Sequence, residues 1–231
     1  MMAAFAAAEF YAMQRREARL PNEVFGVISA GLMPVAAALW GLGGLLAVVT
    51  ALLTLALLWH TVFLRVRTAD TAETVFGALY TGFLLAYLVL LRSYDSGLIL
   101  ALAVVLSVWL NDVGAYLVGS TLGRHKMAPR VSPKKSWEGL AAGTLACVGL
   151  WALVPLVPQS GVELPLALAC GFAVAAASVV GDLAESRMKR EAGVKDSGTL
   201  LPGHGGFLDR LDSLILVCVV AYWVLWWGGV R

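Results

Sequence analysis

Length and composition place this chain among integral membrane proteins. It has 231 residues, of which 60% are hydrophobic and only 14% are charged, and its mean hydropathy is +0.81. Soluble domains carry about 25% charged residues, so an ordinary soluble fold is excluded. The net charge of +2 says little about partners by itself, and we expect no nucleic acid among them.

The apolar runs predict membrane-spanning helices. They reach the ~20 residues that cross a hydrocarbon core, and they lack the alternation of barrel strands. In chain order, the seven predicted spans are 23–41, 42–64, 74–91, 97–120, 137–157, 164–185 and 211–229. Only the Gly41–Gly44 region separates the first two, and residues 1–14 fit either an interfacial helix or a fragment of a further span. The predicted fold class is therefore all-α, a polytopic helical membrane protein with about seven transmembrane helices.

The basic residues orient these spans. With a cytoplasmic N-terminus, the seven-span arrangement places all of the 17 Lys and Arg residues except Arg92 and Arg231 on the cytoplasmic side. Cytoplasmic loops are the ones that carry an excess of Lys and Arg. We therefore predict an integral protein of the cell's inner, cytoplasmic membrane whose polar loops face the cytoplasm.

A polar segment interrupts the apolar sequence between Gly181 and Ser213, reading GDLAESRMKREAGVKDSGTLLPGHGGFLDRLDS. Charges beside a bilayer are expensive, so a dense cluster marks a candidate functional site. Its acidic members form two i, i+3 pairs that can each share one face of a helix end, namely Asp182 with Glu185 and Asp209 with Asp212. Such pairs supply the oxygen ligands that Mg²⁺ prefers. The alternative is that they are solvated helix-end charges or are paired with neighbouring basic residues.

The basic members of the same segment suit phosphate. They are Lys189, Arg190, Lys195, His204 and Arg210. Gly205 and Gly206 let the backbone approach a ligand closely, and the helix that follows them favours anions at its N-terminus. His204 fits a phosphate or base contact better than a metal ligand, because no second histidine lies nearby. Metal and phosphate ligands in one segment predict phosphoryl-type chemistry at a membrane surface.

A second polar region begins inside the fourth predicted span. At 1.5 Å per residue, Asp112 lies about 22 Å along that span and Asp182 about 27 Å along the sixth, so both carboxylates approach the cytoplasmic face. An acid in an apolar span needs a partner, a metal ion or a proton, or else it is a hydrogen-bonded structural group. Lys135 and Ser136 offer an amine and a hydroxyl for phosphate, although lysines here also suit anionic lipid.

Three motifs together resemble those of the phosphatidate cytidylyltransferases, or CDP-diacylglycerol synthases. The longest, from Ser186 to Asp212, reads S-x-M-K-R-x4-K-D-x-G-x3-P-x-H-G-G-F-x-D-R-L-D and is highly specific. The shorter two are D-x-G-A-Y at Asp112–Tyr116 and S-P-x-K-S-x-E-G at Ser132–Gly139. The resemblance extends over residues 100–229, whereas the first hundred residues share only hydrophobic character.

This resemblance implies a nucleotidyltransferase of phospholipid biosynthesis. It would convert CTP and phosphatidate, its two substrates, into CDP-diacylglycerol and pyrophosphate at the surface of the lipid bilayer. The family implies Mg²⁺ as cofactor and leaves room for a second, monovalent cation such as K⁺ and for a homodimer. Residues 1–231 would form a single membrane domain, with N-terminal spans over 1–96 and a catalytic core over 97–231. The motif loops at 111–139 and 181–213 would form the active site on the cytoplasmic side.

The resemblance also assigns roles to the candidate residues. The implied catalytic residues are Asp182, Asp209, Lys195 and Asp212. The implied metal ligands are Asp182, Asp209 and Asp212, with Asp112 and Glu185 as further candidates. The implied substrate-binding residues are Lys135, Ser136, Lys189, Arg190, His204, Gly205, Gly206 and Arg210.

Two alternative functions and one departure accompany this interpretation. A CTP-dependent polyprenol or phytol kinase would share nucleotide-binding features, but the complete long motif argues against it. An ion-coupled transporter would show inverted repeats and acids at mid-membrane, whereas here the acids cluster at one face. Family members begin with additional apolar sequence before the stretch that Glu9-Phe10-Tyr11 continues. We therefore expect this chain either to lack an N-terminal hairpin or to have its start placed late.

Overall fold

The computed structural model describes residues 1–15, 21–198 and 205–231. The predicted substrate-binding residue His204 lies outside the described residues, as do Arg16 and Arg19 of the charge pattern. The helices are α1 (Met2–Gln14), α2 (Glu23–Val62), α3 (Thr68–Ala78), α4 (Leu84–Arg92), α5 (Gly97–Thr121), α6 (Trp137–Leu153), α7 (Leu164–Glu191) and α8 (Asp212–Trp227). A π-helical turn at Leu79–Phe83 joins α3 to α4, and 3₁₀ turns occupy Val154–Leu156 and Leu208–Arg210. The strands are β1 (Lys126–Ala128) and β2 (Ser132–Ser136).

Five helical stretches of the described chain are long and apolar enough to cross a membrane, namely Glu23–Val62, Thr68–Arg92, Gly97–Thr121, Trp137–Leu156 and Leu164–Glu191. The apolar helix α8 is shorter. All seven predicted spans overlap helices of the structure, and the first two both fall in α2 except for residues 63 and 64. That helix has 40 residues but breaks at Gly41, where φ is 61° and ψ is −149°, a conformation that is essentially open to glycine alone. The predicted all-α, polytopic membrane protein is confirmed.

The described chain forms two compact units. The first unit comprises Met1–Leu90 and Met188–Leu211, and the second comprises Leu91–Arg187 and Asp212–Arg231. The long polar segment therefore contributes residues to both units. The predicted division of the chain at residue 97 stays a prediction.

Helix α1 packs one face into the core of the first unit. Phe10 and Tyr11 are fully buried, and the ring of Phe10 contacts those of Phe76 and Tyr80 at centroid distances of 5.8 and 6.1 Å. The Tyr11 hydroxyl donates a 2.5 Å hydrogen bond to the carbonyl of Thr74, and burial raises the pKa of this phenol. The exposed residues Phe5, Ala8 and Ala12 share the other face of the helix. An interfacial helix also keeps one face exposed, so both alternatives for residues 1–14 stay predictions.

In the second unit, α5 and α6 pack closely through glycines. A side chain at Gly114, Gly139 or Gly143 would meet the opposite helix within 3.2 Å. Small residues allow this approach, which is a common way for helices to associate in membranes. Polar bonds add to the packing, because Trp151 donates from its indole to the Ser107 hydroxyl at 2.8 Å. This close approach sets the position of the α5 and α6 residues that line the cavity described below.

We predict that Gly143→Val destabilises the second unit, whereas Gly149→Val on the same helix does not. A Cβ at Gly143 would lie 2.6 Å from the carbonyl oxygen of Asn111, while nothing lies within 4 Å of the corresponding position at Gly149. Overpacking of this kind costs about 1–3 kcal/mol. Thermal unfolding in detergent should therefore show a lower midpoint for Gly143→Val only. Equal midpoints for the two variants would contradict the observed packing.

Candidate functional site

A cavity of about 310 Å³ opens in the second unit between α5, the β1–β2 hairpin, α6 and α7. Its walls are largely apolar, and one set of polar side chains converges on it. These are Asn111, Asp112, Ser132, Lys134, Lys135, Ser136, Ser178 and Asp182. Four predicted site residues are thus brought together here, Asp112, Lys135, Ser136 and Asp182, from the two shorter motifs and the start of the polar segment.

The carboxylate of Asp182 lies beside the amine of Lys135 in this cavity. The distance from Lys135 Nζ to Asp182 Oδ2 is 2.6 Å, and the two side chains are 22% and 29% exposed. The other carboxylate oxygen, Oδ1, accepts a 3.1 Å bond from the Ser186 hydroxyl one turn further along α7. Asp112 lines the same cavity from α5. The helices that carry the two acids begin at Gly97 and Leu164, as the predicted depths assumed. Those depths agree with the finding that both acids line one cavity.

A two-stranded hairpin presents Lys135 to the cavity. Strands β1 and β2 are antiparallel, with Lys126 opposite Ser136 and Ala128 opposite Ser132. The last residue of β2 is also the N-cap of α6, because the Ser136 hydroxyl accepts a 3.2 Å bond from the Gly139 amide. A serine at this position satisfies an otherwise unpaired helix N–H. Ser136 therefore has a clear structural role, and its contact with a substrate stays a prediction.

In the first unit, Asp209 is the centre of a second polar cluster. Its Oδ1 lies 2.6 Å from Lys189 Nζ, and both side chains are 12% exposed. Its Oδ2 accepts bonds from the backbone amides of Ser197 at 3.0 Å and Gly206 at 2.7 Å. Both oxygens of this carboxylate are thus engaged with protein groups. Asp209 ties the end of α7 to the residues on both sides of 199–204.

The remaining predicted residues are distributed over both units. In the first unit, Arg190, Lys195 and Arg210 are exposed at the surface of their unit. In the second unit, Glu185 is fully buried on α7, and Asp212 begins α8 with its Oδ1 accepting from the Ser213 amide at 2.6 Å. Within the described ranges, no group of three or more His, Cys, Asp or Glu side chains is arranged to hold a metal ion.

One carboxylate that sequence reasoning did not assign to the site lies in the first unit. Glu9 of α1 is only 7% exposed, and its Oε2 accepts bonds from the Ser197 hydroxyl at 3.0 Å and the Leu208 amide at 2.8 Å. The signal available in the sequence was a single acid within an apolar helix. Nothing in that pattern indicates a partner almost 200 residues further along the chain.

Comparison with known proteins identifies the family. The sequence profile of the cytidylyltransferase family matches residues 1–227. The chain belongs to the cytidylyltransferase family. Among its relatives, this cytidylyltransferase family member is 44% identical over 146 residues to a phosphatidate cytidylyltransferase of Pseudomonas aeruginosa, a match that covers 62% of this chain and 54% of the relative.

Relatives from other bacteria give similar values. This family member is 37% identical over 156 residues to the phosphatidate cytidylyltransferase of Mycobacterium leprae, covering 68% of this chain and 50% of the relative. It is 38% identical over 149 residues to that of Bacillus subtilis, covering 64% of this chain and 55% of the relative. The chain spans about half the length of the curated relatives it matches.

We predict that Gly205→Ala destabilises this cytidylyltransferase family member more than Gly193→Ala does. Both glycines have positive φ, 81° and 68°, which costs an L-residue about 1–2 kcal/mol. Only at Gly205 would the new Cβ also lie 2.8 Å from Asp209 Oδ2, whereas Gly193 has nothing within 4 Å. The midpoint of thermal unfolding should decrease clearly more for Gly205→Ala than for Gly193→Ala. The reverse order would contradict the close contact between the backbone at Gly205 and the carboxylate of Asp209.

Proposed function

We propose that this protein is a phosphatidate cytidylyltransferase, which converts CTP and phosphatidate into CDP-diacylglycerol and pyrophosphate for phospholipid biosynthesis. The observation that carries the proposal is the cavity in which Lys135 lies 2.6 Å from Asp182 and which Asp112 also lines. A cation for phosphate and two acids for a metal ion meet there in an otherwise apolar helical scaffold. The names of the relatives and the long motif support the same reaction.

The reaction needs positioning more than it needs a protein nucleophile. An oxygen of the phosphatidate phosphate attacks the α-phosphorus of CTP and forms a new P–O bond. The bond from that phosphorus to the oxygen bridging to the β-phosphate breaks, and pyrophosphate leaves. The chain's part is to hold two anionic substrates together and to neutralise their charge. Lys135 in the cavity and the predicted phosphate ligands Lys189, Arg190, Lys195 and Arg210 would do so.

A Mg²⁺ cofactor fits the acids of the cavity. Mg²⁺ is commonly held by one or two carboxylates, with water and substrate phosphates completing its coordination. Asp112 and Asp182 line one cavity and meet that minimum, and we propose them as ligands. The resemblance also implies Asp209 and Asp212 as ligands and Glu185 as a further candidate, and these three stay predictions. When bound, the ion would offset charge on the triphosphate. A second, monovalent cation remains part of the proposal.

The setting of the reaction is also proposed. The distribution of Lys and Arg supports an arrangement in the cytoplasmic membrane with both polar loops on the cytoplasmic side, where CTP is found. Phosphatidate would reach the site from the bilayer. A homodimer stays a proposal. The oligomeric state of the purified protein in detergent can be measured directly.

We predict that the purified protein releases pyrophosphate from CTP only when phosphatidate and Mg²⁺ are both present. The physical reason is that the triphosphate and the lipid phosphate repel each other unless cations offset their charge. Pyrophosphate and CDP-diacylglycerol should form in equal amounts, and EDTA should stop both. Release of CDP instead of pyrophosphate would contradict the proposal and favour a CTP-dependent lipid kinase.

We also predict that Lys135→Met lowers kcat/KM by about 100-fold or more, the usual effect of removing one preorganised charge from a transition state. The matched control is Lys126→Met, which removes the same charge from an exposed position in strand β1 of the same hairpin. The control should keep activity within about threefold of the unmodified protein. Equal losses in the two variants would show that Lys135 acts only through the general charge of the hairpin.

A further inference from the structure

The buried carboxylate of Glu9 lies against the part of the polar segment that belongs to the first unit, at Ser197 and Leu208. The side chain comes from α1, and the residues that it contacts lie almost 200 positions later, at Ser197 and Leu208. A buried charge is costly unless hydrogen bonds compensate it. Here the compensating donors are a side-chain hydroxyl and a backbone amide of the loop. The loop and the N-terminal helix therefore stabilise each other.

Ser197 connects this carboxylate to the predicted catalytic residue Asp209. The Ser197 hydroxyl donates to Glu9 Oε2 at 3.0 Å, while the amide of the same residue donates to Asp209 Oδ2 at 3.0 Å. Leu208, the residue directly before Asp209, donates its amide to Glu9 at 2.8 Å. Glu9 thus holds the chain on both sides of the Asp209 carboxylate without contacting that carboxylate itself.

Two glycines leave no room for this arrangement to shift. A Cβ at Gly198 would lie 2.7 Å from Glu9 Oε1, and a Cβ at Gly206 would lie 2.5 Å from Glu9 Oε2. The carboxylate is therefore enclosed by backbone on two sides. Close packing of this kind transmits a displacement of one group directly to its neighbours.

We propose that Glu9 is a positioning residue for the cytidylyl transfer, acting through Ser197 and Leu208 to hold Asp209 in its working position. The inference rests on the proposed function. It assigns the N-terminal helix a role in the reaction, which the motif resemblance does not. Groups that orient a functional side chain typically change activity by about 10- to 100-fold when they are removed.

The hydrogen bonds define which substitutions can replace Glu9. Oε2 accepts both bonds, whereas Oε1 has no hydrogen-bond partner among the described residues. Glutamine has the same shape and one acceptor oxygen, so it can accept both bonds. Leucine fills a similar volume but accepts none. Glu9→Gln should therefore rescue the function that Glu9→Leu loses, which a requirement for negative charge alone would not allow.

The kinetic test compares Glu9→Leu and Glu9→Gln with a control, Glu163→Leu, which removes an exposed acid of the second unit. With CTP, phosphatidate and Mg²⁺, we expect Glu9→Leu to lower kcat by about 10- to 100-fold. KM for both substrates should change by less than about threefold, because Glu9 contacts neither substrate in this proposal. Glu9→Gln and Glu163→Leu should stay within about fivefold of the unmodified kcat. Unchanged kcat in Glu9→Leu would overturn the proposal.

Hydrogen exchange supplies a test that does not depend on activity. In detergent, the backbone amides of Gly206 and Leu208 should exchange about tenfold faster or more in Glu9→Leu, the equivalent of losing one hydrogen bond to a charged group. They should be unchanged in Glu9→Gln and Glu163→Leu. If the unmodified protein shows no CTP-dependent turnover, the proposed function fails, and unchanged exchange in Glu9→Leu would separately overturn the positioning role.

A milder variant covers the case in which Glu9→Leu does not fold. Ser197→Ala removes only the hydroxyl that links Glu9 to the loop and keeps the amide that Asp209 accepts. Ser197→Ala should lower kcat while changing KM for both substrates by less than about threefold, and adding Glu9→Gln to it should change kcat little further, since residues that act through one contact are coupled. An unchanged kcat in Ser197→Ala would contradict the proposed connection.

Discussion

The structure depends on one constraint, which is that carboxylates near hydrocarbon must be compensated by specific partners. The two units meet it in the same way. In each, a lysine amine lies 2.6 Å from an aspartate oxygen, Lys135 with Asp182 and Lys189 with Asp209, and further donors engage the aspartate. Charge is thereby kept at chosen positions in a chain with only 14% charged residues. Those positions are the ones at which the proposed phosphate chemistry would need it.

The apolar scaffold acts by fixing where these charged groups stand. Glycines let α5 and α6 approach closely, so that Asp112 and Lys135 line one cavity with Asp182 of α7. In the first unit, the buried face of α1 brings Glu9 to the residues around Asp209. Closely packed helices hold their side chains in fixed positions, and in the proposed reaction this would supply preorganisation. In the proposed reaction, the polar loops would carry the chemistry, and the helices would hold them in place.

Much of this was predictable from the sequence, and the exceptions have physical reasons. Hydropathy and length predicted the helices, and a constant rise per residue placed Asp112 and Asp182 at one level. The β1–β2 hairpin was not predicted, because three and five residues are too few for a periodic pattern. Ser136 was predicted as a substrate ligand, but its role as an N-cap depends on where α6 begins. Glu9 was missed because its partners are distant in the chain, and sequence spacing says nothing about such contacts.

The most direct test of the central claim follows the label of CTP into lipid. Purified protein would be incubated with phosphatidate, Mg²⁺ and CTP labelled at either its α- or its γ-phosphate, and the lipid fraction would then be extracted. Cytidylyl transfer predicts that the α-label enters the lipid fraction while the γ-label leaves as pyrophosphate. Transfer of the γ-label into lipid, or of neither label, would contradict it.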